Sequence, residues 1–254
     1  MRHEFESKYV DLDSAVHKLD HRVKLVCILI FVVMVAVSQS FTRLAAYSTI
    51  LLALLLVSKV PLGYFLRRTA IIAPFVGTIA ILIIFVKSGA PIASLNLGPL
   101  GLSITAEGLE FAGLLVFRAF IAVGAIMLLT CTTRFNDLLR AMRDLKAPKL
   151  LVAVLAQTYR YIFLLADELM RVRRARDSRA IGRCGRWRWL RTLGNMIGGI
   201  LIRSYERAER VYSAMLARGY SGEVKVLGGK SLQPLHLSVG IAFSIGVLVI
   251  GWLL

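Results

Sequence analysis

Apolar positions dominate residues 25–131 and 235–254 of this chain, whereas charged positions crowd between 134 and 230. A bilayer hydrocarbon core of about 30 Å needs roughly 17 to 25 apolar helical residues, because each adds 1.5 Å and unpaired backbone groups are not tolerated in lipid. On that scale, residues 23–37 and 44–57 form a tilted hairpin of two spans joined by the polar SQSFTR connector. Lys59, Pro61, Arg67 and Arg68 mark a cytoplasmic re-entry, since Pro stops the helix and arginines prefer the inside. Residues 69–86 make the third span and 107–131 the fourth, with a Gly-, Pro- and Ser-rich outside loop over 87–106 between them. Residues 235–254 make the fifth, with Trp252 at the interface. The pattern predicts an all-α polytopic membrane protein of about five transmembrane helices. Its N-terminus and residues 134–230 face the cytoplasm.

The stretch from 148 to 202 tests that count. Residues 150–166 are apolar, but Gln157, Tyr159, Arg160 and Tyr161 interrupt them and Asp167 and Glu168 end them. A span here would put Arg160 in hydrocarbon at a cost of about 2.5 to 3.5 kcal/mol. The better reading is a long helix, partly buried under the other spans, that continues into the charged segment 167–179. Residues 193–202 are too few to span. Their pattern continues as a stripe through Ile197, Leu201, Tyr205, Ala208, Tyr212 and Met215, with Arg203, Glu206, Arg207 and Arg210 on the other side. That predicts an amphipathic helix ended by Gly219.

Composition agrees with a membrane assignment: 57% of the 254 residues are hydrophobic and 19% charged. The net charge of +17 could suit nucleic acid or the positive-inside rule. Of the 32 Lys and Arg, 21 fall in 134–230 beside 8 acids, so that segment carries +13 between membrane spans and without a nucleic-acid motif. No nucleic-acid partner is expected. Cys27, Cys131 and Cys184 are too scattered for a disulfide framework or a CxxC metal site. The first twenty residues are too polar for a signal peptide, so the first span is expected to stay in the mature protein. The domain reading is an N-terminal arm with helices 1–4 over 1–131, a cytoplasmic helical region over 132–230 and a C-terminal span over 231–254.

Catalytic chemistry finds little support. Gly229-Lys230-Ser231 imitates the end of a phosphate loop, but the glycine required five residues before the GK pair is Val224. HExxH, GxSxG and paired DxxD carboxylates are missing from the sequence. His17 and His21, at i, i+4, could share a metal face, yet with no Cys or acid in register they are read as capping or headgroup residues. Arg118 is the intramembrane cation, with Glu107 and Glu110 earlier on the same span, and is read as an interhelical hydrogen-bond anchor. The basic segment also holds a repeat. Ser178-Arg179-Ala180 ends one charged helix and Ala217-Arg218-Gly219 ends the amphipathic one, each an arginine between small residues. Helix capping accounts for part of this pattern, but small neighbours also leave the guanidinium open to a partner.

These features together resemble the transmembrane T component of energy-coupling-factor importers, and its cobalt branch, CbiQ, most. The resemblance lies in the entry 13–25, where the family usually has Pro in place of His21, in Arg118, and in Thr132-Thr133 with Leu138 and Leu139. Pro148, Tyr159-Arg160-Tyr161 and Glu168 lead to the first small-Arg-small copy, and Arg207-Ala208-Glu209 to the second. The family's Ala-Arg-Gly motif sits on two crossed coupling helices that dock on a pair of ATPase subunits. It maps to Ser178, Arg179 and Ala180, where only the Arg is kept, and to Ala217, Arg218 and Gly219, a full match. The resemblance implies a non-catalytic subunit of the cell inner membrane with no cofactor of its own. ATP and Mg would be bound by the ATPases, and cobalt or nickel by a separate membrane S component. The rival readings are a stand-alone permease and a membrane-anchored, lipid-interacting protein.

Overall fold

The computed structural model describes residues 14–87, 91–97, 100–179, 185–222 and 234–253. They form ten α-helices: α1 (Ala15–Lys18), α2 (His21–Val37), α3 (Phe41–Ser58), α4 (Leu62–Thr69), α5 (Ala73–Val86), α6 (Ala106–Thr132), α7 (Phe135–Asp144), α8 (Lys149–Arg179), α9 (Arg186–Ala217) and α10 (Pro234–Leu253). A single 3-10 turn, Ala70–Ile72, joins α4 to α5. Two compact units result. One holds α1–α6, α10 and α7 as far as Ala141; the other holds α8 and α9.

In the first unit α6 is the central helix and packs against α2, α3, α4 and α5. Phe31 and Val35 of α2, Leu44, Tyr47 and Leu51 of α3, Ile121, Ala125 and Leu128 of α6, and Val247 of α10 make the core. Phe31 meets the Tyr47 ring edge-on at 5.6 Å, and the Tyr47 hydroxyl donates to the Val247 carbonyl at 3.3 Å. Close approach depends on glycine, as is usual where helices pack without a solvent-driven hydrophobic effect. A Cβ at Gly124 would lie 2.8 Å from Phe65 Cζ and 2.9 Å from Leu51 Cδ2, and one at Gly251 would run into Met34. The outer faces are apolar: Val37, Leu56, Ile71, Phe75 and Val86 are all exposed. Apolar exposure on this scale fits lipid rather than water.

The third apolar segment starts earlier than its sequence suggests. Helix runs from Leu62, so Arg67 and Arg68 lie on its first turns rather than in a loop, and Pro74 accounts for the 3-10 break. Proline lacks the N–H that an α-helical turn would use and crowds the carbonyl four residues back.

Residues 87–106 also depart from an all-α description. Strands β1 (Pro91–Leu97) and β2 (Leu100–Thr105) pair antiparallel, Leu97 with Leu100 and Leu95 with Leu102. Thr105 ends β2 and caps α6, accepting from Gly108 N at 3.2 Å and donating to the Lys87 carbonyl at 2.8 Å. That threonine ties the end of α5 to the start of α6.

Among the described residues, four helices are long and apolar enough to cross a membrane: Phe41–Ser58, Leu62–Val86, Ala106–Thr132 and Lys149–Arg179. The chain is a multi-pass membrane protein. The set differs from the expected five, because α2 has 17 residues, the apolar stretch of α10 is His236–Trp252, and α8 enters by length. Nor is α8 well covered within the chain, since Val152 is its only buried residue among those described.

Candidate functional site: the ends of the paired helices α8 and α9

Helices α8 and α9 pack antiparallel. Gln157 reaches Met215 at one end of the contact, and Glu168 meets Arg203 at 3.3 Å and Arg207 at 3.1 Å at the other. Arg171 adds a third guanidinium at 3.7 Å, and the Glu168 side chain is only 13% exposed. A carboxylate accepting several charge-assisted bonds holds two helices in register more firmly than one surface pair would. Between the helices lies a largely apolar cavity of about 540 Å³, lined by residues including Val154, Tyr161, Leu165, Val211, Tyr212 and Met215. The predicted stripe of α9 therefore divides. Ala208, Tyr212 and Met215 line the cavity, with Tyr212 still largely exposed, whereas Ile197, Leu201 and Tyr205 are exposed and away from it.

Arg179 is the last residue of α8 and is exposed. Ser178 beside it bonds back to the Arg174 carbonyl at 3.0 Å, which keeps the last turn helical. Ala180 lies outside the described residues. Arg218 is the C-cap of α9 and is exposed. Gly219 follows with φ +79°, donating to the Leu216 carbonyl at 2.9 Å, and Tyr220 N donates to the Met215 carbonyl at 3.0 Å. This pair of bonds is a Schellman closure, which requires a left-handed residue at the glycine's position. Met215 and Tyr220 both line the cavity, so the closure is fixed to the helix pair.

The arginines of these helices fall into distinct sets. Arg171, Arg173, Arg176, Arg203, Arg207 and Arg210 all make ion pairs. Among the described residues, Arg179 and Arg218 have no side-chain partner, and neither do Arg160 of α8 or Arg186, Arg188 and Arg191 of α9; Arg179 and Arg218 are the ones that stand at the C-terminal ends of the two helices. Glu168 meets Arg207, and Arg179 and Arg218 each lie eleven residues further along their own helix in opposite directions, so these two helix-end guanidinium groups stand roughly 33 Å apart along the pair at 1.5 Å per residue. One compact acceptor cannot reach both.

The remaining candidates hold structure. Arg118, half-buried on α6, donates to the carbonyl of Ser38, the C-cap of α2, at 2.5 Å. Its anchoring role is thus to satisfy a helix end. Sequence reading missed its counterpart, Lys24. That buried lysine on α2 donates to the carbonyl of Thr132, the last residue of α6, at 3.2 Å, and to His17 O at 3.1 Å. Arg160 is exposed on α8. His17 and His21 do not share a helix face, because Leu19 is extended and Asp20 caps a new helix by accepting from Arg22 N at 3.0 Å. His21 instead faces Asp137 at 3.7 Å. Among the described residues, no three His, Cys, Asp or Glu side chains are placed to hold a metal.

The family model for CbiQ, cobalt transport protein, matches residues 13–227. An uncharacterized protein of Methanocaldococcus jannaschii is 31% identical over 87% of this chain and 76% of its own length. The cobalt transport protein CbiQ of Rhodobacter capsulatus is 32% identical over 67% of this chain and 70% of its own. The energy-coupling factor transporter transmembrane protein EcfT of Listeria innocua is 27% identical over 85% and 84% respectively.

Proposed function

The chain belongs to the CbiQ family, the transmembrane T components of energy-coupling-factor importers, and on that footing we propose that Arg179 and Arg218 are its attachment points for a pair of ATPase subunits. The carrying observation is that these two guanidinium groups are exposed, without partners among the described residues, and at opposite ends of an antiparallel helix pair. A guanidinium presents five donors in a fixed fork, suited to a carboxylate or to helix-end carbonyls. A separation of roughly 33 Å suits two acceptors on two subunits better than one. Ala180 and Gly219, as the small residues after each arginine, would leave room for the acceptor.

The membrane reading that goes with this keeps five spans, α2, α3, α4–α5, α6 and α10, with α8 and α9 on the cytoplasmic side. At 17 residues α2 is at the lower limit for spanning. It is nonetheless a core helix, packed on both α6 and α10. α8 carries Arg160 and ends in a run of charges, which favours an interfacial place. The solute is proposed to be cobalt, on the strength of the name of the Rhodobacter relative, and to be held by a separate membrane subunit. A stand-alone permease would need a polar pocket at mid-membrane. The polar hollow of about 320 Å³ lined by Lys87, Glu107, Glu110 and Arg118 instead borders the end of α5 and the start of α6.

The test is the double variant Arg179→Ala/Arg218→Ala in the assembled transporter. Truncating one partner of a buried charge pair costs about 2 to 5 kcal/mol. Each single variant should therefore weaken assembly, and the double should abolish uptake per membrane-inserted molecule and uncouple ATP hydrolysis from it. Near-normal uptake and ATPase activity in the double variant would leave both arginines as helix caps only.

A further inference from the structure

Helix α9 opens with Arg186-Trp187-Arg188-Trp189-Leu190-Arg191, and this segment has no place in the coupling site. From 178 to 205 the chain holds six arginines and no Asp or Glu. Arg186, Arg188 and Arg191 are exposed and, among the described residues, without a side-chain partner. Trp187 is 85% exposed and Trp189 47%. An indole left open is costly in water, and these two belong to a chain that lives in a bilayer.

At 100° per residue, Trp189, Leu193, Ile197, Leu190, Leu201 and Trp187 fall on one arc of roughly 160°. The tryptophans lie at its two edges and Arg188 and Arg191 beyond it; Arg186 lies within the arc, where a long side chain can reach past the apolar surface. Apolar arc, flanking indoles and a polar face whose only charges are cationic describe a helix lying in the plane of a membrane interface. An acidic protein surface would answer the arginines but not the exposed Trp187, Ile197 and Leu201. Anionic headgroups over acyl chains answer both.

We propose that the first turns of α9 bind anionic phospholipid of the bilayer that holds the chain, with Trp187 and Trp189 at headgroup depth and Arg186, Arg188 and Arg191 on lipid phosphates. The surface is distinct from the arginines proposed for ATPase docking, and it does not depend on that assignment. Attraction of about 1 kcal/mol per basic residue near an anionic surface corresponds to roughly a fivefold preference for each arginine engaged.

The experiment uses the full chain carrying Trp252→Phe, so that only Trp187 and Trp189 report, reconstituted in mixed vesicles of phosphatidylglycerol and phosphatidylcholine. One lipid or the other carries bromine at a shallow acyl position. Brominated phosphatidylglycerol should quench the indoles at least several-fold more than brominated phosphatidylcholine. Arg186→Gln/Arg188→Gln/Arg191→Gln should bring that ratio close to one, while the matching triple lysine variant keeps it and controls for folding. Equal quenching by both lipids in the Trp252→Phe chain, or water-like emission in both, would overturn the proposal. So would shielding of the indoles only when partner ATPases are added, whatever the lipid, which would make the segment a protein interface.

Discussion

Glu168 of α8 and Arg207 of α9 meet at 3.1 Å, and each stands eleven residues before the arginine that closes its helix, Arg179 and Arg218. At 1.5 Å per residue the two arms are equal, about 16 Å each, and they point opposite ways. Arg203 holds the same carboxylate from one turn earlier on α9. The crossing contact is therefore equidistant from the two helix-end arginines.

Loss of that contact should uncouple the arms before it unfolds them. Glu168→Ala leaves three guanidinium groups without their shared carboxylate, at a cost of about 1 to 2 kcal/mol, since arginines this exposed are rehydrated readily. Arg207→Ala should cost less, because Arg203 and Arg171 keep Glu168 paired. A double-mutant cycle on thermal unfolding of the purified subunit should give a coupling of about 0.5 to 1.5 kcal/mol. In the assembled transporter, Glu168→Ala should lower solute moved per ATP more than it lowers ATPase activity.

Gly219→Ala separates the shape of the α9 end from the charge of Arg218. With φ at +79°, an alanine there should cost about 1 kcal/mol and loosen the closure that aims Arg218. Uptake should fall although the arginine remains. Gly219→Asn, which tolerates the left-handed region, should retain most of it. Equal loss in both variants would point to the space beyond the helix end rather than to its conformation.

Removing the two cations that hold helix ends should destabilise the membrane unit at two independent places. Arg118→Met leaves the carbonyl at the α2 end without its donor, and Lys24→Met does the same at the α6 end. Each should cost about 1 to 3 kcal/mol, and the two should add within about 0.5 kcal/mol because they lie at opposite ends of α2. Thermal unfolding in detergent reads both. Strong non-additivity would show that the two ends are coupled through the bundle.

The five-span reading places position 185 inside and position 96, in β1, outside. Single cysteines introduced there in a Cys-free chain should be labelled by an impermeant maleimide from the matching side only. Outside labelling at 185 would mean that α8 crosses the membrane.

Much of this was legible in the sequence, for reasons that stop at tertiary contact. The apolar runs gave the helices, and the polar connector at 38–43 separated α2 from α3. Small-residue flanks and a glycine drew attention to Arg179 and Arg218, whose lack of partners became visible only beside the six paired arginines around them. The hairpin of β1 and β2 was missed although its signal was present: Ser94 and Asn96 alternate with Leu95 and Leu97, and two residues separate the strands. Glycine and proline in that stretch suggested a loop. Lys24 was passed over inside the first span, because nothing local says that the end of α6, 108 residues on, lies beside it. Glu168 likewise gains its meaning from residues 35 and 39 positions away.

Lys24 and Arg118 have a mechanical consequence beyond stability. Each belongs to one of two neighbouring antiparallel helices and grips the final carbonyls of the other. A slide of α6 along α2 by a single residue, 1.5 Å, would stretch both grips together in one direction and press both cations into the helix ends in the other. The pair thus acts as a stop against axial shear in both directions. A body latched in this way can tilt or rotate as a whole under load, but it does not dissipate a push by letting its helices slip.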